Sequence, residues 1–177
     1  MRMSLNVRLS LLTLMLIYPS NFYDMTEIYV KSKAYDGHAY CVVAVQPEKK
    51  SIQFHNYSFE DYIRVRGDRI PIDGVEANIQ MELWAVIYGV TKAGKDDELL
   101  IYTHYPCVAE WINGSNNSEP VITVGKVPTK YDKLLRILIS HVIGKKVHAW
   151  QIDFGKNRVM NALLDKLINL EKLKKYA

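Results

Sequence analysis

Few residues of this chain could do chemistry, and most of them are acids. Glu82 stands out because it is the only charged residue in the apolar stretch 81–90. A carboxylate on a buried helix needs a partner, because burial of an unpaired charge is costly. A cluster of carboxylates can hold two Mg²⁺ ions about 3.5–4 Å apart, the arrangement that hydrolyses phosphodiesters. Other acids that could join such a cluster are Asp36, Asp153 and Asp165.

Two other interpretations of Glu82 stay open on the residues alone. It could be a structural carboxylate in the first turn of a helix that begins at Met81, where the helix dipole favours negative charge. It could also join His104 and Asp153 in a single site for a softer ion such as Zn²⁺ or Mn²⁺. The sequence has no glycine-rich phosphate loop, no GxSxG motif and no Cys/His pairing that would indicate a different chemistry.

The elements that must position these residues begin with three predicted strands. Residues 26–33, 38–45 and 51–57 are rich in β-forming residues. The Asp36-Gly37 pair predicts a hairpin turn between the first two strands. We therefore expect three antiparallel strands in a meander.

The rest of the chain alternates between helices and strands. From Met81, two apolar stripes predict a helix that is buried on both sides. Residues 98–103 and 146–153 predict two more strands. Three further helices are expected. The first runs from Pro106 to near Gly114, the second ends at about Val142, and the third begins after Asn157. The crossover from strand 1 to strand 4 places these two strands parallel and side by side.

The Met81-Glu82-Leu83 motif opens the predicted central helix, after an Asn-containing turn, and the elements surround it in a defined order. Over roughly residues 25–170, these features resemble the type I ribonuclease H family. The resemblance implies an α/β fold with a mixed five-stranded sheet, three antiparallel strands followed by two parallel ones, flanked by helices. It also implies that Glu82 is the second of four metal-binding carboxylates.

The resemblance places the other three carboxylates in the middle of strand 1, at the end of strand 4 and early in the last helix. The four family-equivalent residues of this chain are Lys31, Glu82, His104 and Asn161. Four negative ligands would offset two doubly charged ions, whereas this set would not. We therefore expect a metal-free centre in which Lys31 and Glu82 form an ion pair and the other two side chains hydrogen-bond around it.

Two acids near these positions are alternatives. Asp36 would replace Lys31 in a different strand register, although it lies in the predicted hairpin turn. Asp165 lies one helical turn beyond Asn161, about 6 Å further along the helix axis. With Asp153 and Glu82, they are the ligand pool of a divergent ribonuclease H that would use Mg²⁺ or Mn²⁺ to hydrolyse RNA in RNA–DNA hybrids.

The function expected from the sequence is binding without catalysis. We expect a non-catalytic module that derives from a nucleic-acid-processing enzyme, uses no cofactor and has a binding or scaffolding role. The divergent nuclease is the alternative. The partner would be nucleic acid or another protein, and the chain would be a monomer or part of a larger complex.

The basic residues permit nucleic acid as a partner without requiring it, since the formal net charge is only +4. The resemblance implies a basic, Trp-bearing protrusion, but residues 113–126 contain one acid, one base and no aromatic residue. We expect the basic residues of the long loop and three lysines nearer the degenerate centre to be the remaining phosphate contacts. These candidates are Arg64, Arg66, Arg69, Lys145, Lys146 and Lys156.

Residues 1–24 are predicted to be an extension before a single domain, residues 25–177. They include an apolar run, residues 9–18, that is too short to span a membrane and is not followed by a small-residue cleavage pattern. We therefore favour an extension or an alternative start over an export signal. Cys41 and Cys107 show no metal-binding spacing, so a reducing, cytoplasmic location is expected. No attachment to a membrane is expected.

Overall fold

The computed structural model describes residues 25–35, 38–47, 51–58, 75–114, 131–153, 155 and 157–174. These ranges contain five strands and four helices. None of the helices in these ranges is both long and apolar enough to cross a membrane. Cys41 and Cys107 are free thiols, and Cys41 is buried.

The sheet begins with the predicted antiparallel meander. β1 (Thr26–Tyr35), β2 (His38–Gln46) and β3 (Gln53–Ser58) are neighbours, with β2 in the middle. β1 extends beyond its predicted end because its ladder with β2 continues to the pair formed by Tyr35 and His38. The predicted meander is confirmed.

The second half of the sheet is parallel. α1 (Val75–Ala93) crosses over the sheet and leads to β4 (Glu98–Thr103), which pairs in parallel with β1. The remaining elements, in chain order, are α2 (Pro106–Asn113), α3 (Asp132–Val142), β5 (Lys146–Gln151) and α4 (Arg158–Lys174). The strand order β3-β2-β1-β4-β5 confirms the predicted mixed five-stranded sheet.

Alternation along the strands creates two hydrophobic cores, one on each face of the sheet. Side chains such as Ile28, Val30 and Ile101 belong to the core under α1, and α3 packs on α1. Tyr29 and Val42 belong to the core on the opposite face, where α4 packs over β1, β2 and β3. Consecutive residues of β1 therefore lie in different cores.

α1 is buried on nearly all sides, as its two apolar stripes predict. Leu83, Ala85 and Val86 are fully buried, and so is Glu82. The helix begins at Val75, so the expected position of Glu82 in the first turn is wrong. Glu82 lies about two turns into the helix, beyond the first turn in which the helix dipole stabilises negative charge. The carboxyl group must therefore be stabilised by other groups.

Gly89 allows α1 to approach the sheet closely. A Cβ atom at this position would overlap Ile28 Cγ2 and would lie 3.2 Å from Val43 Cγ1. Both neighbours are fully buried in the core. Because protein cores are close-packed, neither side chain can move aside without displacing others.

Gly89→Ala should therefore destabilise the fold, even though alanine is the better helix former. Overpacking costs about 1–3 kcal/mol and the propensity gain offsets roughly 0.5–1 kcal/mol, so we expect a net loss of about 1–2 kcal/mol. The measurement is the free energy of unfolding in urea. Thr91→Ala, at an exposed position of the same helix, is the control. Equal stability of the two variants would contradict the close approach.

Asn113, the last residue of α2, covers part of the sheet edge. Its side-chain amide donates to the carbonyl oxygen of Ala149 at 2.6 Å and accepts from the N–H of Ala149 at 2.7 Å. β5 is an edge strand, and the free backbone groups of such a strand can pair with another chain. The Asn113 side chain thus takes the place of a neighbouring strand at this point.

Asn113→Ala should leave both backbone groups of Ala149 without this partner. We expect the free energy of unfolding to fall by about 1–2 kcal/mol and self-association to increase with concentration. Urea unfolding and size-exclusion chromatography measure the two effects. Glu110→Ala, an exposed change on the same helix, should alter neither. If both variants behave alike, the side chain does not protect the edge.

Candidate functional site

The candidate site lies where the chain connections of the sheet diverge. From β1 the chain continues to β2 on one side, whereas from β4 it continues to β5 on the other. Open α/β sheets bind ligands at such a switch point, outside the carboxyl ends of the strands. The parallel ladder joins residues 26–29 to residues 99–102. Lys31 and His104 both lie just beyond its carboxyl end.

The Glu82 carboxyl group is fully buried and meets three polar groups. Its Oε2 lies 2.7 Å from the Ser32 hydroxyl oxygen. Its Oε1 accepts hydrogen bonds from the Thr103 hydroxyl at 2.7 Å and from the His104 backbone N–H at 2.8 Å. These three groups, and not the helix dipole, compensate the burial of this carboxyl group.

The Ser32 hydroxyl bears on the protonation of Glu82. Its oxygen also lies 3.0 Å from the carbonyl oxygen of Asn78, and a hydroxyl group has one hydrogen to donate. Both contacts are satisfied if Glu82 carries a proton on Oε2 and donates it to Ser32, whose hydroxyl then donates to Asn78. Burial raises the pKa of Glu82, and the hydrogen bonds and nearby charge of His104 oppose this effect only in part. The raised pKa favours the same neutral form.

The His104 ring links this network to α4. Its Nδ1 lies 3.2 Å from the carbonyl oxygen of Val30, and its Nε2 lies 2.6 Å from Asn161 Oδ1. Lys31 Nζ donates to the same Oδ1 atom at 3.0 Å, and because an ammonium group only donates, this atom is the amide oxygen. Both ring nitrogens of His104 therefore face oxygen atoms, and Nδ1 also lies 3.9 Å from Glu82 Oε1.

Lys31 pairs with Asp165 and not with Glu82. Its ammonium group lies 2.5 Å from Asp165 Oδ1, in addition to its bond to Asn161. Among the described residues Glu82 is not one of its partners, so the expected Lys31–Glu82 ion pair is wrong. The reason is strand alternation: Ser32 points toward Glu82, and Lys31, the preceding residue, points to the opposite face. The sequence offered Asp165 only as an alternative, because it lies one helical turn beyond Asn161. In the structure it belongs to the cluster.

Comparisons with known proteins concern the fold. No family model matches the sequence, and no curated protein is significantly similar to it. Ribonuclease H1 from the halophilic archaeon Halobacterium salinarum NRC-1 is 12% identical, and the match covers 82% of this chain and 98% of that one, with a TM-score of 0.55. The N-terminal RNase H domain of a Mycobacterium tuberculosis protein is also 12% identical, covering 85% and 99%, with a TM-score of 0.54. LC11-RNase H1 in complex with an RNA/DNA hybrid is 19% identical, covering 81% and 94%, with a TM-score of 0.52. The chain has the ribonuclease H fold.

The described cluster does not fit the two-metal centre that the ribonuclease H fold implies. Two Mg²⁺ ions require several free carboxylate oxygens. Both Glu82 oxygens are engaged by neighbouring groups, and the Lys31 ammonium group occupies the contact with Asp165. Within the described ranges, no group of three or more His, Cys, Asp or Glu side chains could hold a metal ion. In this example of the fold, a side-chain cation lies where the resemblance implies a metal ligand.

The alternative site for a softer ion is assembled only in part. His104 Nδ1 lies 3.9 Å from Glu82 Oε1, but Asp153, the third candidate ligand, is exposed and its carboxylate accepts a hydrogen bond from the Gly155 N–H at 2.7 Å. Asp153 thus belongs to the turn before α4. Asp36, the alternative to Lys31 on strand 1, lies outside the described residues.

The candidate phosphate contacts are only partly described. Four of them lie outside the described residues: Arg64, Arg66, Arg69 and Lys156. Lys145 donates to two backbone carbonyl oxygens of the α1–β4 loop, at 2.9 and 2.6 Å, and Lys146 pairs with Glu98 at 2.6 Å. Both lysines lie at the start of β5, about 20 Å along the strands from His104. Lys145 and Lys146 therefore do not belong to the cluster that contains His104.

Ser32 and Thr103, which contact the Glu82 carboxyl group, belong to no motif that distinguishes them in the sequence. A signal was nevertheless present in the alternation of the strands. Both residues share a strand face with apolar residues, Val30 and Ile101, and a hydroxyl group on a buried face needs a polar partner. Glu82 is the polar residue that α1 brings to that face.

Glu82→Gln should preserve this network. The glutamine oxygen can accept from Thr103 and from the His104 N–H, while its N–H can donate to Ser32, as the protonated carboxyl group does. Because burial raises the pKa of Glu82, the native state binds this proton more tightly than the unfolded chain does. The stability that the neutral carboxyl contributes is therefore present at acidic pH and is lost as the pH rises through the raised pKa.

We accordingly expect Glu82→Gln to be more stable than the parent protein at mildly alkaline pH and similar to it at acidic pH. Urea unfolding at several pH values measures the difference. Glu82→Ala removes the acceptor as well as volume, so it should lose about 2–4 kcal/mol at every pH. If the stability of the parent protein relative to Glu82→Gln increases as the pH rises, Glu82 is not a neutral acid.

Proposed function

We propose that this chain is a non-catalytic ribonuclease H-fold module that binds nucleic acid. The observation that carries the proposal is the Lys31 ammonium group, which contacts Asn161 and Asp165 at the switch point of the sheet. Metal-dependent hydrolysis needs a cluster of free carboxylates, and a positive side chain among the remaining polar groups opposes the binding of divalent ions.

The charges of the cluster support the same conclusion. Burial raises the pKa of the Glu82 carboxyl group and so favours its neutral form, and the Asp165 carboxylate is paired with the Lys31 ammonium group. A divalent ion at the cluster would have to approach this ammonium group, which repels it. The ammonium group is instead suited to a negatively charged ligand.

Nucleic acid is the ligand class that the comparisons favour. LC11-RNase H1, which shares the fold, was solved in complex with an RNA/DNA hybrid. The net charge of +4 is compatible with binding to phosphates, which supply most of the affinity of non-specific nucleic-acid binding. A scaffolding role with a protein partner is the alternative if the chain does not bind nucleic acid.

We further propose that residues 25–177 form the binding domain, that residues 1–24 are an extension of it, and that the protein works in the cytoplasm. The free thiols of Cys41 and Cys107 support a reducing compartment.

The test of the proposal is an assay of cleavage and binding on the same substrate. A labelled RNA–DNA hybrid is incubated with the full chain in Mg²⁺ and, separately, in Mn²⁺, and the RNA strand should stay intact. An active type I ribonuclease H under the same conditions is the positive control. Fluorescence anisotropy in EDTA should then detect metal-independent binding of the same hybrid.

Cleavage of the RNA strand that disappears in Glu82→Gln would overturn the proposal. It would favour the divergent nuclease, with Glu82 and Asp165 as ligands that rearrange when the metal binds. Absence of both cleavage and binding would leave the non-catalytic assignment in place and direct attention to a protein partner.

A further inference from the structure

We propose that Lys31 contacts a backbone phosphate of nucleic acid directly, without a metal ion, and that Asp165 occupies this contact when no nucleic acid is bound. The inference rests on the proposed function, because it names the group through which the module binds its ligand. It also assigns Asp165 a role as an internal competitor of the phosphate.

The Lys31–Asp165 ion pair is accessible from solution. The Lys31 side chain is 16% exposed and the Asp165 side chain is 51% exposed. Ion pairs with such an exposed partner contribute little to stability, because water and salt screen them. A phosphate oxygen is an anionic acceptor like a carboxylate oxygen and forms the same charge-assisted hydrogen bond with an ammonium group. It can therefore replace Asp165 without breaking the fold.

The ammonium group is positioned by groups that do not depend on Asp165. Asn161 Oδ1 accepts a hydrogen bond from Lys31 Nζ, and His104 Nε2 donates to the same oxygen. The His104 ring is fixed in turn through Nδ1 by the carbonyl oxygen of Val30. Lys31 would thus keep its position when Asp165 moves away, so an incoming phosphate meets a preorganised donor.

The location in the fold also favours this assignment. Lys31 and His104 follow Tyr29 and Tyr102, whose rings stack at a centroid distance of 4.5 Å on the same face of the sheet. At this place the carboxyl ends of β1 and β4 form the switch point of the sheet, and sheets of this kind bind ligands there. Lys146, in contrast, pairs with Glu98 at the opposite end of the strands.

The experiment measures binding of a fluorescent RNA–DNA hybrid in EDTA over a series of salt concentrations. Lys31→Met should lower the affinity about tenfold at low salt and should reduce the slope of log K against log salt by about 1, as loss of one phosphate contact does. Asp165→Asn should have the opposite effect: it removes the competitor, so the affinity should rise about threefold to tenfold.

Each variant has a control that changes the net charge equally at the far end of the strands. Lys95→Met, at an exposed position of the α1–β4 loop, matches Lys31→Met, and Asp97→Asn, at an exposed position next to Glu98, matches Asp165→Asn. Because charges are screened over about 10 Å at about 0.1 M salt, we expect both controls to change the affinity at that salt concentration by less than about twofold. Circular dichroism and urea unfolding verify that each variant is folded. Asp165→Asn keeps the proposal testable if Lys31→Met does not fold.

The inference is overturned if Lys31→Met binds no more weakly than Lys95→Met, or if Asp165→Asn binds no more tightly than Asp97→Asn. In either case the hybrid could remain intact in Mg²⁺ and Mn²⁺, and the non-catalytic assignment would stand. Cleavage of the hybrid would instead overturn the proposed function itself. The two failures are therefore distinguishable in one set of measurements.

Discussion

The alternation of side chains along β1 is the constraint on which the rest of this site depends. Ser32 points toward α1 and Lys31 points toward α4, because successive residues of a strand face opposite sides of the sheet. Lys31 and Ser32 therefore lie on different faces, and it is Ser32 that contacts Glu82, with its hydroxyl oxygen 2.7 Å from the buried carboxyl group. A one-residue slip of β1 would exchange the two residues and place an ammonium group in the apolar core.

This separation gives the two polar groups different physical roles. Glu82 lies in a closed network of hydroxyl and backbone groups, where a neutral carboxyl satisfies every contact. Lys31 lies nearer the surface, where its ammonium group contacts Asn161 and Asp165. His104 connects the two regions, since its backbone N–H binds Glu82 and its ring binds Asn161. The core is satisfied internally, and the charged part is available to a ligand.

The fold and the chemistry of its switch point are thus separable. The ribonuclease H architecture rests on the two cores, on the close approach of α1 at Gly89 and on the protected edge of β5, none of which requires a metal ion. A shared fold does not determine the reaction, because function depends on the particular side chains at a site. Here those side chains form a hydrogen-bonded cluster that contains a buried carboxyl group and a lysine ammonium group.

Much of the architecture was determined by the sequence alone. The period of the apolar residues and the Asp-Gly signal were sufficient for the antiparallel meander, the parallel crossover to β4 and the buried central helix, whereas the complete five-stranded arrangement was what the resemblance to ribonuclease H implies. The start of α1 was not determined in this way, because the alternation of polar and apolar residues from Glu76 to Gln80 indicated a turn, although Ala77 continues the helical period four residues before Met81. Because the predicted helix began too late, Glu82 was wrongly placed in the first turn, and its stabilisation was wrongly attributed to the helix dipole.

The tertiary structure alone decided which polar residues meet. Sequence positions indicated that Lys31, Glu82, His104 and Asn161 belong to one region, but a contact depends on which face each strand presents to each helix. That choice separates Lys31 from Glu82, brings Asp165 within 2.5 Å of Lys31 and leaves Lys146 at the far end of the strands. The sequence pattern of a helix or strand specifies which of its own faces is apolar and which is polar. The partner of a buried charge is set only when two elements pack and one geometry satisfies their polar groups.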